Sequence, residues 1–253
     1  MNILLIGSEN SVSRSILDNL ILSGHSVFKT HRNNIDSEYF FDIENETSWK
    51  SYRNVDLIIY SAWKMKPRNR KISEKNILAA KAILTLNKDK SIIFISSMSA
   101  NPRSRSEYGS AKYEAEKEFL KYGKFVIKPG ILYDSESNSV LGTVSRIIGY
   151  LDKLFFLISV NPDFTVYISN IEVVSKRIFD IIEGNTHDRK IEEEISFNSF
   201  MYMFTSAKYF RIPIRKLLID VLFKSLHLSS ENLNDANDSW ISISRDSANS
   251  VKI

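Results

Sequence analysis

Apolar residues follow two rhythms along this chain, and the rhythms alternate. Short unbroken runs such as Ile3-Leu4-Leu5-Ile6, Leu57-Ile58-Ile59-Tyr60 and Ile92-Ile93-Phe94-Ile95 read as strands buried on both faces. Longer stretches between them repeat apolar positions three and four apart, the signature of helices that bury one face. Strands are expected at 2–6, 26–30, 55–60, 91–96 and 124–128, and helices at 11–23, 72–86 and 106–121. Such alternation argues for parallel strands joined by right-handed helical crossovers, an α/β doubly wound parallel sheet with helices on both faces. Ligands of such sheets bind beyond the carboxyl ends of the strands.

The pattern loosens further on. Residues 140–157 are strongly apolar over a helical length, Asn161-Pro162 marks a turn, and 166–174 read as a strand leading into a helix. Residues 211–224 form an amphipathic stretch with basic ends, and 240–246 resemble a terminal strand and turn.

Composition narrows the function classes. The 253 residues are 43% hydrophobic and 25% charged, ordinary for a globular protein able to bury a substantial core. Without cysteine there is no disulfide or thiolate chemistry, and four scattered histidines lack ligand spacing, so no metal site is expected. The net charge of +4 comes from basic residues interleaved with acids, which argues against nucleic acid as a partner. Lys64, Lys66, Arg68, Arg70 and Lys71 are the local exception, a cluster suited to a phosphate or diphosphate. The first apolar run is too short for a signal peptide and lacks a basic leader, so the cytoplasm is the default location. The 211–224 stretch is too short and too charged to span a bilayer. Burial is its expected role, with a peripheral membrane contact as the lesser alternative.

Candidate chemistry follows the fourth strand. Tyr108 and Lys112, four apart at the start of an expected helix, present a phenol and an ammonium on one face. A nearby cation favours the phenolate and brings a group with a reference pKa of ~10 toward working range. Ser97, at the strand's mouth, is placed to hold a substrate oxygen. This constellation resembles that of the short-chain dehydrogenase/reductase superfamily, in which Tyr exchanges a proton with a carbonyl or alcohol while a nicotinamide exchanges a hydride. On that resemblance Ser97, Tyr108 and Lys112 are the expected catalytic residues, with Ser99 the substitute if the loop is shifted.

Phe125 to Tyr133 resembles the strand and loop of sugar-nucleotide epimerases, dehydratases and keto reductases, with Lys128 where that pattern has Arg and Asp134 where it has Gly. The resemblance implies a Rossmann-like fold, with residues 1–135 as the dinucleotide-binding and catalytic region. Residues 136–253 then form a small carboxyl-terminal substrate lobe with elements returning to the core. It further implies cofactor contacts from Gly7, Asn10, Ser11 and Val12 in the first strand-to-helix turn. Only Gly7 survives there from the Gly-x-x-Gly-x-x-Gly pattern; Asn10 and Ser13 hold the other glycine positions, and Glu9 stands close to where a diphosphate would lie. Asn tolerates left-handed backbone angles and Ser is small, so the turn is expected to survive.

His31 and Arg32 stand where NAD-using relatives place an acid, so the expected cofactor is NADP, with NAD the alternative. Asp42 and Ile43 resemble the pair that receives adenine. Ser61, Ala62 and Trp63 resemble the turn under the cofactor riboses, and Lys128, Pro129, Gly130 and Ile131 complete the cofactor set together with Tyr108 and Lys112. Asn76 is a candidate brace of the site. The apolar-His-apolar-x-Asp pattern of relatives is absent around Tyr167, Ser169, Asn170 and Glu172, so no catalytic role is assigned there.

The expected activity is NADPH-dependent reduction of a keto group on a nucleotide-activated sugar, in surface polysaccharide biosynthesis, with at least one of Lys64, Lys66 and Arg68 near the substrate diphosphate. The same residues would support an NAD-retaining epimerase or dehydratase. The degraded glycine turn keeps a third class open, a non-catalytic NADP-binding regulatory protein. A homodimer is compatible with each.

Overall fold

The computed structural model of the chain describes residues 1–64, 70–104, 106–141, 145, 148–149, 157–161, 165–185, 190–204 and 211–215. Among these residues, five strands form one wholly parallel sheet: β1 (Asn2–Ile6), β2 (Ser26–Lys29), β3 (Leu57–Tyr60), β4 (Ser91–Ile95) and β5 (Phe125–Ile127), in the order β2-β1-β3-β4-β5. Three helices, α1 (Ser11–Leu22), α2 (Arg70–Leu86) and α3 (Glu107–Lys121), fall between strands as the periodicity predicts.

The unbroken apolar strands are explained by what covers them. Leu4, Ile6, Ile58, Tyr60, Ile92 and Phe94 point to one face and pack with Ala79, Ile83, Ala115 and Phe119 of α2 and α3. Ile3, Leu5, Leu57, Ile59, Ile93 and Ile95 point to the other and pack with Ile16 and Leu20 of α1. The side-chain period of two thus gives each strand two buried faces, as a parallel sheet between helix layers requires. The second face is completed by Ile171, Val174 and Ile178 of α4 (Ile171–Ile182), which the expected strand and helix of 166–174 place correctly.

A smaller sheet, β10-β9-β6-β7, is built from β6 (Ile131–Asp134), β7 (Ser139–Val140), β9 (Thr165–Asn170) and β10 (Glu193–Ser196). Lys128, Pro129 and Gly130 separate β5 from β6. A Cβ on Gly130 would stand 2.4 Å from the carbonyl oxygen of Tyr167, so only glycine lets β6 settle beside β9. Helix α5 (Phe197–Phe204) turns Phe197, Phe200 and Phe204 inward.

The carboxyl-terminal reading needs correction. Val140 belongs to β7 and Leu157 opens β8 (Leu157–Asn161), so the expected long helix over 140–157 is bounded by strands. Arg211–Arg215 is strand β11, parallel to β8, with Pro213 opposite Ser159. A proline one residue inside each flanking isoleucine is poorly suited to a helix interior and acceptable at the edge of a two-stranded pair. Residues 216–224 and 240–246 lie outside the described residues.

Candidate active site

Strand order fixes where a ligand can sit. β1 lies between β2 and β3, so the chain leaves it toward one side first and crosses to the other later; a crevice opens at that reversal. A cleft of about 290 Å³ occupies the position, at the carboxyl ends of β1, β2 and β3. Eight of the expected cofactor residues line it: Gly7, Asn10, Arg32, Asp42, Ile43, Ser61, Ala62 and Trp63. Ser8, Glu9, Thr30, Phe41 and Lys64 share the lining.

Gly7 has φ +89°, and a Cβ there would stand 2.5 Å from the Ala62 nitrogen, so glycine is required both for the bend and for contact with the end of β3. Asn10 works differently from expectation. Its φ of −80° and ψ of 163° are extended, and the left-handed tolerance of asparagine is not used. Instead Asn10 caps α1: its Oδ1 accepts from the Ser13 amide at 2.9 Å, while Nδ2 donates to the Gly7 carbonyl and to Ser61 Oγ, each at 2.7 Å. Ser13, fully buried, places its hydroxyl 2.8 Å from Ser61 Oγ, which also donates to the Ile6 carbonyl at 3.0 Å. A polar network therefore ties this turn to β3 where glycines would act by having no side chain. Ser11 opens α1 half-buried, and Val12 sits in the core against the sheet; neither lines the cleft.

Among the described residues, the cations of the cleft lining are compensated. Arg32 Nη2 lies 2.8 Å from Glu9 Oε2, and Lys64 pairs with Glu44, so each cation lining the cleft already faces a carboxylate. Asn76, only 1% exposed, braces this rim: it accepts from the Lys64 amide at 2.8 Å and donates to the Lys64 carbonyl at 2.9 Å. His31 is held through its backbone to Tyr39 and Phe41, and its side chain is exposed outside the cleft lining. Lys66 and Arg68 lie outside the described residues.

Beside the cleft, α3 presents Tyr108 and Lys112 one turn apart. Lys112 Nζ donates to the carbonyl of Ile95, the last residue of β4, at 2.6 Å. The ammonium lies 4.4 Å from the Trp63 ring centroid, 4.9 Å from that of Phe94 and 5.9 Å from that of Tyr108. Trp63 meets Tyr108 nearly edge-on, with centroids 6.2 Å apart. Burial pulls the Lys112 ammonium down to about 7, with the Glu116 carboxylate opposing. The aromatic faces and the Ile95 carbonyl also favour the charged form.

The serine loop is pressed against the same helix. Ser97 Oγ accepts from the Ser99 amide at 3.3 Å and lies 3.0 Å from Ser99 Oγ. A Cβ on Gly109 would stand 2.3 Å from the Ser99 carbonyl oxygen, so glycine next to Tyr108 lets the first turn of α3 seat on this loop. The Met98 amide donates to the Pro129 carbonyl at 3.0 Å, which brings buried Pro129 beside Ser97. Gly130 donates to Ser169 Oγ, and Ile131 is buried against β9; Lys128, Pro129, Gly130 and Ile131 lie outside the cleft lining, as do Tyr108 and Lys112.

Glu116, unmentioned by the sequence reading, is buried and central. It accepts from Ser96 Oγ at 2.8 Å and pairs with Lys128 Nζ at 3.0 Å, while Lys128 also donates to the Ala100 carbonyl at 2.7 Å. Its signal was present: Tyr108, Lys112 and Glu116 recur at steps of four on one helix face.

No family model and no curated protein matches the sequence. Solved structures do. The UDP-glucose 4-epimerase of Thermotoga maritima, solved with UDP-glucose, superposes with a TM-score of 0.61 at 17% identity, over 85% of this chain and 87% of its own. A dTDP-4-dehydrorhamnose reductase of Clostridium acetobutylicum gives 0.64 at 16% over 85% and 84%, and that of Yersinia enterocolitica 0.65 at 15% over 86% and 85%. This chain has their fold. The wholly parallel five-stranded sheet with helices on both faces is the Rossmann-like arrangement expected from the sequence. Among the described residues no helix is long and apolar enough to cross a membrane.

Proposed function

We propose that the chain is an NADPH-dependent reductase of a keto group on a nucleotide-activated sugar, cytoplasmic and acting in surface polysaccharide biosynthesis. The observation that carries the reading is the buried Lys112 ammonium, fixed by the Ile95 carbonyl at 2.6 Å and sharing a helix face with Tyr108 at the rim of the crevice. Likeness of fold to two dTDP-4-dehydrorhamnose reductases supports the substrate class.

The cleft's donor set fits a dinucleotide. Asp42 and Ile43 suit an adenine, Arg32 a ribose phosphate, Ser61 to Trp63 a ribose floor, and Gly7 with the start of α1, including Ser11 and Val12 through their backbone, a diphosphate. Lys128 to Ile131 and the Tyr108–Lys112 pair complete the set. When bound, the cofactor supplies the hydride. Tyr108 gives its phenolic proton to the carbonyl oxygen, and the Lys112 ammonium stabilises the phenolate left behind. Ser97 accepts from the Ser99 amide, and with Ser99 Oγ as donor in the contact between the two hydroxyls, the Ser97 hydrogen donates to that oxygen. Residues 1–135 perform these steps and residues 136–253 hold the sugar; Lys64, Lys66 or Arg68 meets its diphosphate.

The pairing of Arg32 with Glu9 favours a second reading, epimerisation or dehydration with retained NAD, because it opposes a ribose phosphate. Purified protein carrying stoichiometric NAD would select it. For the reductase, NADPH oxidation is followed with a panel of nucleoside-diphosphate keto sugars. Tyr108→Phe is expected to lower turnover by about 10²-fold or more; near-normal turnover would refute the assignment.

A further inference from the structure

We infer that Glu9 competes with the cofactor for Arg32, so that an ion pair inside the cleft sets which dinucleotide is accepted; the inference rests on the dinucleotide reading of that cleft. Glu9 Oε2 and Arg32 Nη2 are 2.8 Å apart, and both side chains line the crevice. They come from different segments, the turn after β1 and the loop after β2, and meet across the mouth.

A guanidinium recognises phosphate best through its two-pronged fork. Here one prong of the fork, Nη2, already serves a carboxylate. A ribose 2′-phosphate can take Nη2 as part of a two-pronged grip only by displacing Glu9, and the displaced carboxylate then stays beside a dianion. Among the described residues, the other cation of the cleft lining, Lys64, already faces Glu44, while Asp42 adds a further negative charge. A ribose without the phosphate asks for the opposite: its hydroxyls donate, and a carboxylate held by Arg32 keeps lone pairs to accept them. The closed pair therefore favours NADH, and the open pair favours NADPH.

The side chains are 64% and 76% exposed, which limits the size of the effect. An exposed pair of this kind is worth a factor of about two to five in an equilibrium. The test is calorimetric titration of the full chain with NADPH and with NADH, ligands that differ only by the phosphate. Glu9→Gln is expected to tighten NADPH about two- to fivefold without tightening NADH. In an Arg32→Gln background the same substitution should give a smaller gain, the part due to carboxylate–phosphate repulsion alone. An unchanged NADPH-to-NADH ratio in Glu9→Gln, or a gain that is undiminished without Arg32, would overturn the inference and leave the dinucleotide reading standing. Binding of neither ligand to the native chain or to Glu9→Gln would overturn both.

Discussion

Lys112 is a cation kept 97% out of water, since it is only 3% exposed, and the surroundings pull it in opposite directions. Burial lowers its pKa to about 7, while Glu116 supports the charge. The consequence for stability has a definite sign. The folded group titrates near 7 and the unfolded one near its ordinary 10.5, so between those values the unfolded chain holds a proton that the folded chain lacks. This residue's contribution therefore improves as pH rises through that window, and its penalty is complete below it. Activity runs the other way. Under the proposed reaction the phenolate of Tyr108 is stabilised by the charged ammonium and not by the neutral amine, so kcat/KM is expected to fall with a one-proton slope as pH rises through about 7. A profile flat across about pH 6 to 9 would remove Lys112 from that role.

At the scale of elements, the first turn decides how β1, α1 and β3 are joined. Asn10 caps α1, holds the Gly7 carbonyl and reaches Ser61 on the neighbouring strand, three tasks in one side chain. Asn10→Ala should destabilise by about 1–2 kcal/mol, seen as a lower urea midpoint with an unchanged slope. A loss below about 0.3 kcal/mol would mean that the network is not what fixes the turn. This is also where sequence reading reached its limit. Strands such as 2–6 and 91–96 were legible because an unbroken apolar run has one physical explanation, burial on both faces. The role of Asn10 was not, since asparagine suits a left-handed turn and a helix cap equally well, and only its partners Ser13 and Ser61 distinguish them. The 211–224 stretch misled for a related reason. Its basic ends and apolar middle fit an amphipathic segment, yet Pro213 and pairing with β8 make its opening a strand.

Across the whole molecule, two helix layers bury both faces of a parallel sheet and leave its strand ends as the place where polar groups gather. Tyr108, Lys112 and Ser97 were legible as candidates from spacing and from the strand before them. Glu116, Phe94 and the Ile95 carbonyl were not singled out, because their part depends on β4, β5 and α3 meeting at one point. The central claim is that this junction moves a hydride to a sugar carbonyl. It is tested most directly with NADPH deuterated at the transferring position of the nicotinamide and a nucleoside-diphosphate keto sugar, with the product read by mass spectrometry. The account predicts one deuterium bound to the former carbonyl carbon, at a rate that collapses in Tyr108→Phe. A product isomerised or dehydrated without deuterium, or deuterium transfer that survives in Tyr108→Phe, would contradict it.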